Sequence, residues 1–271
     1  MSEVPPVQLL GEADTLGAFN AQLGAARRGT FLLDFDGTLA PFWNDVQAVR
    51  PYPGVAAALD RLAGTGRARI VIVTGRYLKA TPPDLGTSAP LEMWGSHGRE
   101  RLLPDGSYKV VGIDEFALQG LTLADAWSRE VAAAGGRSEA KPGSLAFHWR
   151  GAGPAQVIRI RNFITENFHR EALEDVLELA NFDGGIELRA PGWDKGNVVR
   201  ALLEETPDAV PVAYLGDDLT DEDAFRALAQ RGLSVLVRPA LRATAASVWA
   251  HPPEGLLALL DRWTEILEQE R

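Results

Sequence analysis

The sequence contains no cysteine. A disulfide framework, a thiol nucleophile and a thiolate metal site are therefore excluded, and the absence suits a reducing compartment. The sequence also lacks an apolar run that approaches the length of a membrane span. Its first residues lack the basic segment and following apolar segment of a secretory leader. We therefore expect a cytoplasmic protein with no membrane partner.

Basic residues are in the minority. The 27 lysines and arginines are outnumbered by 37 aspartates and glutamates, which gives a formal net charge of −10. Nucleic acids and anionic membrane surfaces attract basic surfaces, so we expect neither as a partner. An anionic small molecule is compatible with this charge if cations are concentrated near one site. The 271 residues suffice for a large α/β domain and a smaller one, and we expect a monomer.

A short apolar stretch at residues 30–33 is followed by two carboxylates, Asp34 and Asp36. The stretch is too brief for a helix and is typical of a strand that is buried on both faces of a parallel sheet. The carboxyl ends of such strands open into the crevice where ligands bind. We therefore predict that both carboxylates lie at a binding site. The alternative is a strand that merely ends in an Asx turn.

Two further apolar strands end in polar residues. Residues 70–73 lead into Thr74, and residues 212–215 lead into the Gly-Asp-Asp run at 216–218. Helical patterns alternate with these strands, which predicts an α/β fold with a doubly wound, Rossmann-like parallel sheet. If the three strands are neighbours, their terminal side chains converge at one edge of the sheet, together with Lys195 at the start of a helix.

The alternating pattern is interrupted between residues 101 and 186. Hairpin signals at 102–111 and 138–149 are joined by helical stretches, which is an α+β arrangement. We predict a second domain at 101–186, inserted in a core made of residues 1–100 and 187–271. A strand at 186–189 is expected to return the chain to the core.

The converging side chains suit phosphoryl transfer. Several carboxylates together repel one another unless a cation lies among them, and an all-oxygen ligand set suits Mg²⁺. Lys195 and threonine hydroxyls beside that ion would form a receptor for a phosphoryl group. Asp34 can attack phosphorus to give an aspartyl-phosphate. Asp36 can protonate the leaving oxygen and then activate water.

These residues resemble the four motifs of the haloacid-dehalogenase-like phosphohydrolases. The motifs are 34–38, Thr74, Lys195 and 216–218. The chain is more closely similar to the trehalose-6-phosphate phosphatase family within that superfamily. The similar segments are 32–41, 73–76, 95–100, 139–150, 187–196 and 215–225. The resemblance implies a haloacid-dehalogenase-like core with a mobile α+β cap that closes over the sugar.

The resemblance also implies roles for individual residues. Asp34 would be the nucleophile and Asp36 the general acid and base. The residues implied for phosphate binding are Thr38, Thr74, Gly75 and Lys195. The ligands implied for Mg²⁺ are Asp34, the Asp36 carbonyl and Asp217, with Asp218 and Asp221 in support. The residues implied for sugar binding are Arg76, His97, Glu139, Lys141, Arg150 and Glu187.

Several alternatives stay open. Family members usually carry serine where this chain has Thr74, and segments 43–52 and 189–193 match the family pattern loosely. Glu139 and Lys141 lie two residues apart on one strand face and would also suit a solvated ion pair. His97, between glycines, would also suit a turn, and Lys195 a surface pair with the preceding aspartate.

The expected activity is Mg²⁺-dependent hydrolysis of trehalose 6-phosphate to trehalose and phosphate. A second possibility is a phosphatase of the same fold for another sugar phosphate, such as sucrose, mannosylglycerate or glucosylglycerol phosphate. A third is a sugar-phosphate binding domain without turnover, although such a domain would not need the proton donor Asp36. A phosphomutase is also formally possible.

Overall fold

The computed structural model describes residues 6–11, 13–43, 48–229 and 231–269. The strands are β1 (Val7–Leu9), β2 (Gly29–Leu33), β3 (Ala68–Val73), β4 (Glu92–Gly95), β5 (Glu100–Leu102), β6 (Tyr108–Val110), β7 (Arg137–Lys141), β8 (Ser144–His148), β9 (Glu178–Phe182), β10 (Gly185–Arg189), β11 (Val212–Gly216), β12 (Gly232–Val237) and β13 (Val248–Ala250). The α-helices are α1 (Thr15–Ala26), α2 (Val55–Gly64), α3 (Glu115–Asp125), α4 (Ser128–Ala133), α5 (Pro154–Arg170), α6 (Lys195–Glu205), α7 (Glu222–Leu228) and α8 (Glu254–Glu268).

Nine strands form one large sheet in the order β1-β13-β12-β11-β2-β3-β4-β5-β6. The strands from β13 to β4 run parallel, whereas β1, β5 and β6 join the edges antiparallel. The chain moves outward from β2 through β3 to β4, and later outward the other way from β11 through β12 to β13. This reversal confirms the doubly wound prediction. It also makes the carboxyl ends of β2 and β11 the expected ligand crevice.

Helices cover both faces of the large sheet. Alternate side chains of β2 point to opposite faces. Phe31 and Leu33 pack in a core with residues of α1, α2 and α8, whereas Leu32 packs in another core with residues of α6 and α7. Burial on both faces explains why β2 reads as a continuous apolar run. Within the described ranges, no helix has both the length and the apolar character that crossing a bilayer would require.

A second sheet has four antiparallel strands in the order β7-β8-β10-β9. Its strands alternate between an apolar face and a polar face. The apolar face packs in its own core with residues of α3 and α5, and it includes Leu145, Phe147, Ile186 and Leu188. The polar face carries Glu139, Lys141, Glu187 and Arg189, which the register places in adjacent rows. These helices therefore leave the polar face uncovered, so that it can face the large sheet.

One hairpin and one further strand lie in other sheets than predicted. The hairpin at 102–111 was assigned to the insert, but it supplies β6 and the end of β5 to the large sheet. The strand at 186–189 was expected to return the chain to the core, but as β10 it lies between β8 and β9 in the small sheet. The predicted boundaries at 101 and 186 are therefore wrong for these strands. A hairpin pattern predicts antiparallel pairing without indicating which sheet receives it.

Candidate active site

Asp34 and Asp217 directly follow the adjacent strands β2 and β11. The turn after Asp34 comes very close to the carboxylate of Asp217. Gly37 has a φ of +91°, and a Cβ there would lie 2.2 Å from Oδ2 of Asp217. Only glycine meets both conditions, a left-handed backbone and no room for a side chain. Gly37, in the Asp36-Gly37 pair, therefore lets the turn after β2 lie against the end of β11.

Lys195, the first residue of α6, reaches into this carboxylate group. Its Nζ donates to Oδ1 of Asp34 at 2.8 Å and to Oδ1 of Asp221 at 2.7 Å, and only 3% of its side chain is exposed. Burial acts to lower the pKa of Lys195, but the Asp221 and Asp34 carboxylates together raise it above its usual value. The lysine is therefore a fixed cation, and its pairing with Asp194 at the surface is excluded.

Asp221 organises the loop after β11. Its Oδ2 accepts hydrogen bonds from the backbone N–H groups of Asp217 and Asp218, at 3.1 and 2.9 Å. Its Oδ1 accepts from the Tyr214 hydroxyl at 2.7 Å as well as from Lys195. Asp221 therefore fixes both the main chain that carries Asp217 and the position of the lysine. Asp218 contacts the small sheet, because its Oδ2 accepts from the Asp183 N–H at 3.0 Å.

Three buried carboxylates here fit a divalent cation. Asp34, Asp217 and Asp221 each offer an oxygen, and these oxygens lie within 4.8 Å of one another. Burial raises the pKa of Asp34 to about 7, although the nearby Lys195 acts to lower it. Burial, together with Asp34 and Asp221, raises the pKa of Asp217 well above its usual value. Oδ2 of Asp217 is buried without a hydrogen-bond partner among the described residues. A hard cation such as Mg²⁺ would satisfy that oxygen and offset the repulsion.

The sign of the resulting pH dependence follows from these shifts. A carboxyl whose pKa is raised in the folded state contributes stability at low pH, and this contribution is lost as the pH rises through the folded-state pKa. His97, whose pKa burial lowers to about 3, acts in the opposite direction below its unfolded-state pKa. The two contributions offset each other in the total stability. They separate when the protein is compared with and without Mg²⁺, because protons compete with the metal only at the carboxylates.

We therefore expect Mg²⁺ to stabilise the protein in a pH-dependent way. With Mg²⁺ in large excess, the melting temperature should rise by about 5 °C or more near pH 8, and by about 1 °C near pH 5. Thermal unfolding in EDTA and in Mg²⁺, with NaCl matched for ionic strength, measures this difference. An equal shift at both pH values would contradict the assignment of the cation to these carboxylates.

Two threonines and a glycine complete the core side of the site. The Thr38 hydroxyl lies 3.1 Å from Oδ2 of Asp34 and 3.3 Å from Oδ1 of Asp217. Thr74 is buried at the end of β3, and its Oγ1 accepts from the Arg76 N–H at 3.2 Å. At Gly75, a Cβ would lie 2.6 Å from the His97 ring. The glycine therefore lets the imidazole pack against the loop after β3.

Glu187 is the centre of the charged face on the small sheet. Its Oε1 accepts from Lys141 and Ser144, both at 2.9 Å, and its Oε2 accepts from Arg189 at 2.6 Å. Nε2 of His97 lies 3.1 Å from the same Oε2. Burial acts to raise the pKa of Glu187, but Lys141 and Arg189 outweigh it and hold the pKa well below its usual range. Glu187 is therefore an ionised carboxylate with a full set of partners.

The remaining predicted sugar ligands lie farther out. Glu139 pairs with Nε2 of His148 at 3.0 Å. Arg150 is exposed. Its Nη2 donates to the Asp183 carbonyl at 2.7 Å, and its guanidinium lies 4.4 Å from the centre of the Phe42 ring. Arg150 therefore joins the small sheet to the loop after β2.

Arg189 and His148 were not among the predicted site residues. Both belong to the polar face of the small sheet. Arg189 lies two residues after Glu187 on the same strand. His148 pairs with Arg137, which lies two residues before Glu139. Because alternate residues of a strand point to the same face, the spacing of these two residues from predicted site residues could have identified them.

One cavity separates the two sheets and unites these residues. Its lining from the core includes Asp34, Asp36, Thr74, Gly75, Arg76, His97, Lys195, Asp217, Asp218 and Thr220. Its lining from the small sheet and its turns includes Arg137, Glu139, Lys141, His148, Arg150, Phe182, Asp183 and Glu187. Phe42 and Trp43 also border it. The rest of the loosely matching loop includes residues 44–47, which lie outside the described residues.

Comparisons with known proteins agree with this arrangement. The family model described as trehalose-phosphatase matches residues 32–248. The chain is 34% identical to the trehalose-phosphate phosphatase of Mycobacterium marinum over 248 residues, which is 88% of the chain and 59% of that relative. It is 32% identical to the trehalose-phosphate phosphatase of Mycolicibacterium paratuberculosis, covering 99% of the chain and 69% of that relative.

A solved structure shares the fold. The C-terminal domain of the trehalose-6-phosphate phosphatase of C. albicans matches with a TM-score of 0.78 and 23% identity, covering 95% of this chain and 99% of that one. The chain spans 59% of the length of the M. marinum relative. Because the family model covers most of the sequence, this chain belongs to the trehalose-phosphatase family.

Proposed function

We propose that this chain is a Mg²⁺-dependent phosphatase that hydrolyses trehalose 6-phosphate to trehalose and phosphate. The observation that carries the proposal is the cavity between the sheets, with the Asp34–Lys195 pair on one wall and the Glu187–Lys141 pair on the other. The first wall offers a nucleophile beside fixed positive charge, which phosphoryl transfer needs. The second wall offers charged groups suited to sugar hydroxyls. The names of the mycobacterial relatives support the same substrate.

Asp34 and Asp217 would hold the Mg²⁺ ion, and Asp221 lies close enough to contribute an oxygen. The Asp36 carbonyl would be a further ligand, with Asp218 in a supporting role. When bound, the ion would neutralise negative charge on the phosphoryl oxygens as a Lewis acid. Lys195 would share that task, since its ammonium already contacts Asp34.

The covalent steps would fall to two carboxylates. An oxygen of Asp34 attacks phosphorus, and the bond from phosphorus to the sugar oxygen breaks as Asp36 gives its proton to that oxygen. Asp36 then takes a proton from water, and the water oxygen attacks phosphorus and releases phosphate from Asp34. Both residues return to their starting states, so that one water is consumed for each ester.

The small sheet would recognise the sugar. Glu139, Lys141 and Glu187 lie on one polar face above the reacting carboxylates. A buried charged group rejects a substrate that fails to replace its lost water contacts, so such a wall discriminates strongly between sugars. Arg150 and His97 would contribute at the rim, where the core and the small sheet meet.

The experiment that tests this function is phosphate release from a panel of esters. The panel contains trehalose 6-phosphate, sucrose phosphate, mannosylglycerate phosphate and glucose 6-phosphate, each with Mg²⁺ and with EDTA. We expect trehalose 6-phosphate to be preferred by a kcat/KM ratio of about 100 or more, and the activity to be lost in EDTA. Asp34→Asn protein that is purified by the same procedure measures the activity of contaminating phosphatases.

The other outcomes separate the alternatives. Metal-dependent activity on a different ester would support the proposed phosphatase chemistry and would reject the assignment of Glu139, Lys141 and Glu187 to trehalose recognition. Transfer of phosphate to a second sugar, rather than to water, would indicate a mutase. Release from no ester, with sugar phosphate still bound, would indicate a binding domain.

A further inference from the structure

Arg76 binds the carboxylate of Asp36 with both branches of its guanidinium. Nε donates to Oδ2 and Nη2 donates to Oδ1, each at 2.6 Å. The Arg76 side chain is 6% exposed, whereas that of Asp36 is 27% exposed toward the cavity. Bidentate pairs of this kind are the most directional charge-assisted hydrogen bonds in proteins. The pair therefore fixes the plane of the Asp36 carboxylate as well as its position.

Arg76 is itself held in place by its own loop. Its guanidinium lies 4.8 Å from the centre of the Phe35 ring, and its N–H donates to the Thr74 hydroxyl. Its carbonyl accepts from the N–H of Ser96 at 2.8 Å. The arginine thus connects the end of β3 with the turn after β2. Its position depends on core elements and not on the small sheet.

This geometry does not suit a sugar ligand. The two N–H groups that form the directional fork are already occupied by Asp36, and breaking them would leave a nearly buried guanidinium without its carboxylate. By contrast, Glu139 and Lys141 lie on β7, an edge strand of the small sheet that pairs with β8. The expectation of a sugar contact from Arg76 therefore conflicts with the contacts that it makes.

We propose that Arg76 is a positioning residue that acts through Asp36, holding this carboxylate for both proton transfers. The inference rests on the proposed function, in which one carboxylate must face first the leaving sugar oxygen and then a water molecule. A partly exposed aspartate would otherwise rotate among several rotamers. Fixing it in one orientation serves both half-reactions, because proton transfer depends steeply on alignment. Each carboxylate oxygen has a second lone pair, so the fork leaves Asp36 a site for the proton.

The test begins with two variants, Arg76→Met and Arg76→Lys. Methionine keeps contact with Phe35 but removes the fork, and lysine keeps the charge without the bidentate geometry. For trehalose 6-phosphate we expect kcat to fall about 10²- to 10⁴-fold in Arg76→Met, with KM changed by less than about threefold. Arg76→Lys should lie between that variant and the wild type. Arg262→Met, which removes an exposed arginine paired with Glu265 on α8, is the matched control.

A double-mutant cycle separates positioning from other roles. If Arg76 acts only through Asp36, the Asp36→Asn/Arg76→Met protein should be no slower than Asp36→Asn alone, within about threefold. Circular dichroism and melting temperature establish that each variant is folded. A merely structural role would lower activity further in the double variant, and that result would overturn the inference.

Two other results would also overturn it, and they differ in what they say of the proposed function. A rise in KM with kcat unchanged would make Arg76 a sugar ligand while leaving the phosphatase function intact. A wild-type protein that releases phosphate from no sugar ester would remove the proposed function and this inference with it.

Discussion

Asp34→Asn is expected to abolish phosphate release, with a loss of about 10⁴- to 10⁶-fold in kcat. The amide has nearly the same shape as the carboxylate, and its oxygen can still accept the hydrogen bond that Lys195 gives to Oδ1. It is not a nucleophile, however, so the bond to phosphorus cannot form. Phosphate release from trehalose 6-phosphate, with mass spectrometry to exclude deamidation back to aspartate, measures the loss.

The same variant should remain folded, and this separates chemistry from structure. Asp34 is one of three buried carboxylates around one cation, and burial disfavours its charged form. Replacing it with a neutral amide removes repulsion as well as attraction, so we expect the melting temperature in EDTA to be equal to or higher than that of the wild type. Asp261→Asn, at an exposed ion pair with Arg61, is the matched control. Turnover near the wild-type level in Asp34→Asn protein would rule out the covalent mechanism.

The core of the site was predictable because its residues sit at strand ends. Parallel strands that are buried on both faces read as apolar runs, and the residue after each run falls at the same edge of the sheet. Asp34, Thr74 and Asp217 were placed correctly by this rule alone. Lys195 was placed there as the first residue of a helix, and the resemblance to a family added its phosphate-binding role; its Nζ lies 2.8 Å from Oδ1 of Asp34.

The sheet edges were less predictable. β5 and β6 form a hairpin with the same pattern as β7 and β8, yet one hairpin extends the large sheet and the other belongs to the small one. Local pairing follows from turn residues, whereas the choice of sheet depends on contacts between distant parts of the chain. β1 and β13 are three residues long and pair with each other, so neither carried a periodic signal.

Contacts between long charged side chains were not predictable at all. Arg76 binds Asp36 from 40 residues away in the sequence, and Arg189 reaches the ring of His97 from 92 residues away. Arginine and lysine side chains are long enough to reach several partners, so the choice among them depends on the packed fold. The contact of Arg76 with Asp36 could therefore not be predicted, although the motif that contains Arg76 was recognised from the sequence.

Lys195→Met is expected to destabilise the metal-free protein by about 3–5 kcal/mol near neutral pH. The ammonium lies within hydrogen-bond distance of both Asp34 and Asp221, and its removal leaves buried carboxylates facing one another without a cation. Methionine fills a similar volume, so that the loss reflects charge more than packing. Denaturant unfolding in EDTA measures the free energy, and Lys109→Met, at an exposed position on β6, is the control.

The pH and metal dependence of this loss distinguish charge from packing. The pKa of Asp34 is already raised to about 7 with the lysine present, and without it the carboxyls should hold their protons to still higher pH. The destabilisation should therefore be small near pH 5, where protons neutralise the cluster, and should increase as the pH rises through 7. Mg²⁺ should recover part of the stability by supplying a cation to Asp34 and Asp217, but turnover should stay at least about 10²-fold below wild type, because the phosphoryl group lacks its fixed ammonium. A destabilisation that is the same at both pH values would assign Lys195 a packing role and would contradict the charge balance proposed for this site.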